Sequence, residues 1–288
     1  MELINLISMK TRKVDYHIHS YLSDGDLSPH EIVELCYVMQ IDAFSITDHD
    51  SIGSVHRLKA LSQQLPPSKL INGVELDCMY QNREIHLLGY DFDEDDADLN
   101  THLKVTQQLR RKRIVEQIHK INEYYNRLVI SENDIINNEK ETYMKPHIIQ
   151  KLIGLGFHAE LPYESAYQTI NKFLNELGTE TEIIKIDILE AMKLIKNAGG
   201  ICVLAHPAYY HAKGISLDSM FMKLKNACLD GVEVNYPYHY NSPDIFSPQE
   251  EQEIIHQLES MADEHQYLKT SGSDAHTKQQ LIDNNNHG

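Results

Sequence analysis

The sequence predicts an α/β fold: a parallel sheet or barrel with covering helices, interrupted by a helical insertion. Two observations predict it. Short apolar runs alternate with helical patterning over the first ninety residues and again beyond about residue 185, as in repeated βα units. The stretch between them, about 99–184, carries helical patterning only. The expected organisation is a first barrel part at 1–98, the insertion at 99–184 and a second barrel part at 185–288. A length of 288 residues suits one α/β barrel carrying an insertion, and 41% hydrophobic residues supply a sizeable core.

The elements follow in order. Residues 14–19, Val-Asp-Tyr-His-Ile-His, read as a strand with Val14, Tyr16 and Ile18 on one side and Asp15, His17 and His19 on the other. A loop with Ser23-Asp24-Gly25 follows. Ser28-Pro29-His30-Glu31 is a helix start, with Ser at N-cap, Pro at N1 and Glu at N3 of a capping box. A second strand at 43–47 ends in Asp48-His49-Asp50, and a helix over 51–65 stops at Pro66-Pro67. Strands at 69–76 and 84–91 complete the first part, and the alternation suggests a parallel sheet or barrel.

In the insertion, 99–125 reads as a long helix with Leu103, Leu109, Ile114, Ile118 and Ile121 on one face, and 131–177 as shorter helices. A helix over 188–198 ends at Gly199-Gly200. A buried-type strand over 201–205 runs into His206-Pro207, another covers 231–234, and a helix covers 250–265. The last strand, 269–272, ends in Ser273-Asp-Ala-His276, and the polar 284–288 is expected to fray.

Charge and composition remove several functional classes. The net charge of −17 argues against a broad nucleic-acid-binding surface, which needs excess Lys and Arg, although bound cations reverse the local sign where an anion must bind. No window approaches the roughly 18 apolar residues of a membrane span. The start, Met1 to Ser8, is short and carries an acid where an export signal wants positive charge, so the expected location is cytoplasmic. Cys36, Cys78, Cys202 and Cys228 form no CxxC and read as small apolar residues, not as a disulfide framework.

The 17 histidines are many, and their placement is patterned. His17 and His19 lie on the first strand, with Asp24 just beyond. His49 follows the second, Glu75 is on the third, His86 on the fourth, His206 follows a later one, and Asp274 and His276 follow the last. Taken singly, a histidine is more often structural or exposed. Strand-end residues of an α/β barrel, however, converge on one mouth, where chemistry is sited. Imidazole with carboxylate favours Zn, Mn or Fe, and no cysteine falls in the constellation. Closely spaced ions can bridge a hydroxide and clamp a phosphoryl oxygen.

The segments Asp15-Tyr-His-Ile-His19, Ser23-Asp-Gly25, Thr47-Asp-His-Asp50, Gly73-Val-Glu75, Glu84-Ile-His-Leu-Leu-Gly-Tyr90, Ala205-His-Pro207 and Gly272-Ser-Asp-Ala-His276 resemble, in order, the motifs of the PHP (polymerase and histidinol phosphatase) superfamily of metal-dependent phosphoesterases. The fifth segment and the insertion are similar to the branch of nucleoside 3′,5′-bisphosphate phosphatases and 5′-to-3′ exoribonucleases. The resemblance implies a distorted (β/α)7 PHP barrel with three divalent metals, commonly manganese, with iron and zinc as alternatives. By motif position, it implies one ion on His17, His19, Glu75 and Asp274, a second on Glu75, His86 and His206, and a third on Asp24, His49 and His276. Glu75, His17 and His206 are the expected catalytic side chains.

The implied activity is hydrolysis of a phosphomonoester or terminal phosphodiester of a nucleotide or short RNA. The alternatives are a histidinol-phosphate phosphatase, a metal hydrolase acting at carbon, and a partner-binding remnant without activity. The family branch often carries Arg-Pro-His in the insertion, its Arg contacting substrate phosphate. Here the segment is Lys145-Pro146-His147, and Lys keeps the charge but loses the bidentate fork. Lys145, His147, Arg110 and Arg113 are the substrate-binding candidates, although a run such as Arg110-Arg-Lys-Arg113 is more often a solvated helix face. Asp15 is a candidate to orient a ligand histidine, and Tyr236-Pro-Tyr-His-Tyr240 to line the mouth.

Overall fold

The computed structural model describes residues 13–61, 69–137, 139–183 and 185–286. β1 (Val14–Ile18), β2 (Ala43–Ile46) and β3 (Lys69–Tyr80) pair in parallel. β3 turns back antiparallel into β4 (Arg83–Tyr90), and β4 pairs antiparallel with β6 (Ile201–Leu204). β7 (Gly231–Asn235) and β8 (Leu268–Ser271) then continue in parallel. The short β5 (Ile186–Asp187) adds to β3 outside this path. His19 N–H donates to the Ala275 carbonyl at 3.0 Å and Asp274 N–H to that of His17 at 2.8 Å, so the seven-strand path nearly closes. The result is an α/β fold with a nearly closed, barrel-shaped sheet.

The expectation of parallel pairing fails at one place. Gln81 and Asn82 have φ of 50° and 60°, the left-handed backbone of a tight two-residue hairpin, and they reverse the chain between β3 and β4. The reversal has a functional consequence. Because β4 runs against the others, its first half lies at the rim where the parallel strands end, and this brings His86 there. Simple alternation along β1 is also broken. A register shift between Asp15 and Ile18 puts Tyr16 with Leu88 and Tyr90 and Ile18 with Ile32 and Phe44, so the two do not share one cluster.

α1 (Pro29–Val38) starts at the expected capping box: Ser28 Oγ accepts from Glu31 N–H, and Glu31 accepts from Ser28 N–H at 2.8 Å. α2 (Gly53–Ala60) follows β2 and is shorter than the helix expected over 51–65: Ser51, Ile52 and Leu61 are not helical, and 62–65 lie outside the described residues. The stretch between β4 and β5 holds α3 (Ala97–Tyr124), α4 (Lys145–Gly154) and α5 (Tyr163–Leu177). Ile114, Ile118, Ile121, Ile148, Leu152, Ile170 and Leu174 form its own buried cluster, the product of helical spacing on three packed faces.

α6 (Ile188–Asn197), α7 (Ala208–Ala212), α8 (Leu217–Asn226), α9 (Tyr238–Asn241) and α10 (Pro248–Glu264) belong to the second part. Ile195, Leu224 and Leu258 pack from these helices onto Leu87, Leu204 and Val232 of the sheet. Asn284 to Asn286 do not fray as expected: they close α11 (Lys278–Asn286), and Asn285 donates to Asp15 at 2.6 Å, while 287–288 lie outside the described residues. Among the described residues no helix is long and apolar enough to cross a membrane.

Candidate metal centre

Glu75 lies in the middle of β3, buried at the sheet rim. Its Oε2 is 3.4 Å from His17 Nε2, 3.3 Å from His19 Nε2 and 3.2 Å from His49 Nδ1. Its Oε1 is 2.9 Å from His86 Nδ1 and 3.4 Å from His206 Nε2. Asp274 Oδ1 closes one side, 3.4 Å from His17 Nε2 and 2.9 Å from His19 Nε2. Asp24 lies 3.8 Å from His19 and 3.4 Å from His276. The fold thus brings all nine expected metal-ligating side chains together. Three sets have donor atoms close enough to share an ion: His17, His19, Glu75 and Asp274; His19, Asp24, His49 and His276; and His49, Glu75 and His86. A fourth set, Asp77, Glu84 and His86, already has a cation against it, because Lys185 Nζ contacts both carboxylates.

The donor atoms suit metal ions. His17 Nε2, both ring nitrogens of His19, Asp24 Oδ1 and Glu75 Oε2 are buried without a hydrogen-bond partner. Unpaired buried polar atoms are costly, and here they converge without the alignment of a hydrogen bond. A divalent ion accepts such lone pairs and removes the cost.

Burial disfavours charge on every one of these groups, yet their neighbours outweigh it. Asp274 and Glu75 push His19 up to about 8, and Glu75, Asp24 and Asp77 push His49 up to about 9. His17 rises through Glu233, Asp274 and Glu75, and His86 through Glu75 and Asp77. The facing imidazoles hold Glu75, Asp24 and Asp274 below the usual carboxyl range. The carboxylates therefore demand positive charge, which protons supply when no ion does.

Several supporting residues, Tyr236 apart, were not singled out from the sequence. Glu233 is fully buried, with Oε1 3.0 Å from His17 Nδ1 and Oε2 accepting His206 N–H at 2.8 Å. An acid inside the apolar run Gly231-Val-Glu-Val234 was the signal. Asp77 Oδ1 is 3.0 Å from His49 Nδ1. Tyr210 accepts from His86 N–H at 2.7 Å and lies 3.4 Å from His206 Nδ1, and Tyr236 donates to Asp274 at 2.8 Å. Asp48 accepts from Ser20 N–H at 2.8 Å and Ser23 Oγ at 2.7 Å, pinning the loop that carries Asp24. Asp50, His206 and Asp274 have φ of 47°, 28° and 51°, backbone strain of the kind concentrated at functional sites.

The four substrate-contact candidates sit in different surroundings. Arg110 is buried, with Nη2 2.5 Å from Asp50 and 2.7 Å from Asp77 and Nε on Asp50, so these two nitrogens are taken by carboxylates. His147 accepts Met144 N–H at Nδ1, 3.0 Å away, and its Nε2 lies 2.9 Å from the Ser23 carbonyl, which occupies both nitrogens. Lys145 reaches Asn175 at 2.6 Å, and Arg113 Nε is buried without a partner. Asp15 meets the backbone N–H groups of His17 and Ser273, not an imidazole ring. An open cleft of about 550 Å³ lies over the centre, lined by Glu84, His86, His206, Tyr209, Tyr236 and Asp274 among others. Tyr236 lines this mouth, whereas Tyr238 is in the core.

The family model of the PHP domain matches residues 15–279. The chain is 27% identical over 233 residues to a 5′-3′ exoribonuclease of Haemophilus influenzae, covering 78% of this chain and 79% of that one. It is 23% identical to a 3′,5′-nucleoside bisphosphate phosphatase of Chromobacterium violaceum, covering 91% and 87%. It is also 23% identical to a phosphoribosyl 1,2-cyclic phosphate 1,2-diphosphodiesterase of Eggerthella lenta, covering 78% and 83%. In fold it is similar to a crystal structure from Bifidobacterium adolescentis assigned as a metal-dependent phosphoesterase, with a TM-score of 0.73, 19% identity and coverage of 96% and 97%.

Proposed function

Because the chain belongs to the PHP domain family, we propose that it is a metal-dependent phosphoesterase acting on a nucleotide or short oligonucleotide, at a phosphomonoester or terminal phosphodiester. The observation that carries this reading is the Glu75 carboxylate, surrounded by five imidazoles and centred among buried donor atoms that lack partners. His17, His19, Glu75 and Asp274 are assigned to one ion, Glu75, His86 and His206 to a second, and Asp24, His49 and His276 to a third. The nitrogen and oxygen donors suit manganese, with iron and zinc as alternatives. Such ions, when bound, supply positive charge for the phosphoryl oxygens and an acidified water.

The chain's own residues orient the site. Glu233 and Tyr210 hold the rings of His17 and His206, and Tyr236 fixes Asp274. Lys145 and Arg113 are assigned to substrate phosphate. His17, Glu75 and His206 are assigned to the reacting centre. The relatives' activities on RNA, a nucleoside bisphosphate and a cyclic sugar phosphate support a small phosphorylated substrate.

The test is phosphate and nucleotide release from adenosine 3′,5′-bisphosphate, 5′-phosphorylated short RNA, a ribose 1,2-cyclic phosphate and histidinol phosphate, with manganese and with chelator. Manganese-dependent cleavage of the bisphosphate or RNA is expected. Cleavage of histidinol phosphate alone would reassign the substrate, and release of ammonia from an amine substrate without any phosphate release would overturn the reading.

A further inference from the structure

Arg110 comes from α3, in the helical insertion, yet its side chain is only 4% exposed and lies against Asp50 and Asp77 beside the candidate ligand His49. Nε and Nη2 both donate to Asp50 Oδ2, at 3.0 and 2.5 Å. Nη2 also donates to Asp77 Oδ2 at 2.7 Å. The other oxygen of Asp77 is 3.0 Å from His49 Nδ1. Neighbouring contacts keep this arrangement rigid: Gln107, one turn earlier on α3, donates to the Asp50 carbonyl at 2.9 Å, and Asp50 N–H donates to the Glu75 carbonyl at 2.8 Å.

We infer that Arg110 is a positioning residue for the ion held by His49, so that the insertion builds part of the metal centre as well as its surroundings. The assignment of His49 as a ligand rests on the function proposed above; the role of Arg110 goes beyond it.

The physical reason is charge burial. Asp50 and Asp77 are buried side by side, and two carboxylates there repel each other. A guanidinium bridges both with a fixed fork, which an ammonium cannot copy. Asp77, held as an anion, accepts the Nδ1–H of His49. That fixes the ring tautomer and leaves Nε2 as the free donor. Lys185 Nζ, 3.5 Å from the same Asp77 oxygen as Arg110, adds charge but does not reach Asp50 in any described contact. Removing Arg110 leaves Asp50 uncompensated and takes away a contact that fixes the Asp77 carboxylate, which can then turn away from His49.

The experiment uses the full chain with Arg110→Met, Arg110→Lys and Asp77→Asn. Bound manganese is counted by elemental analysis after desalting, and affinities are read by calorimetric titration. Arg110→Met is expected to weaken about one ion by roughly 10–100-fold and leave the others unchanged, the size seen when an outer partner of a ligand is lost. Arg110→Lys should recover part of that loss. Asp77→Asn keeps Arg110 and side-chain volume, so it should weaken the same ion even if the Arg110→Met protein fails to fold. Full manganese content with unchanged affinity in both Arg110→Met and Asp77→Asn, and a raised KM for a bisphosphate in the former, would overturn the inference and return Arg110 to a phosphate contact. The count is read against the wild-type protein, so it stands whether or not the tested phosphoesters are cleaved.

Discussion

Glu233 Oε1 lies 3.0 Å from His17 Nδ1, and neither side chain is exposed to solvent. The other oxygen of Glu233 accepts the N–H of His206, whose φ is 28°. One carboxylate on β7 therefore fixes a ring on β1 and a strained backbone turn after β6. Glu233→Gln keeps the volume and loses the charge. It is expected to weaken manganese binding about 10–100-fold, read by competition with a chelator. Unchanged affinity would mean that His17 needs no outer partner.

Glu75 has the largest share of contacts with the other ligand-type side chains. Glu75→Gln and His17→Ala are expected to lower phosphoester turnover by about 100-fold or more, beyond the loss of an outer partner. Both proteins should be checked for folding by circular dichroism. Near-normal turnover by a folded variant would remove these residues from the reacting centre.

Tyr210 holds two imidazole-bearing residues through one oxygen. In Tyr210→Phe the half-buried His86 N–H loses its acceptor, which costs about 1 kcal/mol. Urea unfolding of chelator-treated protein should show an unfolding free energy lower by that amount, and a manganese titration should show weaker binding at His86 and His206. A stability loss with unaltered metal binding would restrict Tyr210 to the core.

The pH response of the metal-free protein should have two arms. His19 and His49 rise from an ordinary 6.5 to about 8 and about 9 in the folded chain. The stability they contribute is complete below pH 6.5 and fades as pH climbs through 8 to 9. Glu75 and Asp24 are depressed, so their contribution is present above their ordinary range and disappears on acidification. Tm of chelator-treated protein should therefore fall between pH 6.5 and 9. Manganese-loaded protein should hold its Tm there, because the ion replaces the protons. Parallel profiles for the two forms would contradict the shared site.

Gly272 tests how tightly β8 packs on the centre. A Cβ there would overlap His17 Cβ and come 2.5 Å from Glu233 Oε1. Gly272→Ala is expected to cost about 1–3 kcal/mol and to reduce manganese affinity by displacing His17. Gly214→Ala is the control. Its φ is +83° with nothing within 4 Å, so it costs about 1–2 kcal/mol of backbone strain and leaves metal binding alone. Equal metal loss in both would show that global stability, not His17, is being read.

The ligand types and the strand–helix order were legible because both are local. His17 and His19 stand two residues apart, and Glu75 follows an apolar run, whatever the rest of the chain does. Other assignments depend on partners distant in sequence. His86 reaches the rim only because the turn at Gln81 and Asn82 reverses β4, and periodicity carries no strand direction. Arg110 and Arg113 share a basic run, but docking of α3 decides which one is buried against Asp50 and Asp77. His147 carries the same ring as the ligands, yet the Ser23 carbonyl and Met144 N–H claim both its nitrogens.

By itself, the sequence determined an α/β chain with a helical insertion and nine side chains suited to divalent ions, because residue chemistry and short-range spacing are written along one dimension. Only the tertiary structure decided that Glu75 lies at their centre, that Glu233, Asp77 and Tyr210 contact the imidazole-bearing residues, and that Arg110 meets Asp50 and Asp77. Those outcomes follow from which buried charges meet across the sheet, and burial is settled by packing among segments far apart in the chain, 216 residues for His17 and Glu233 and 270 for Asp15 and Asn285.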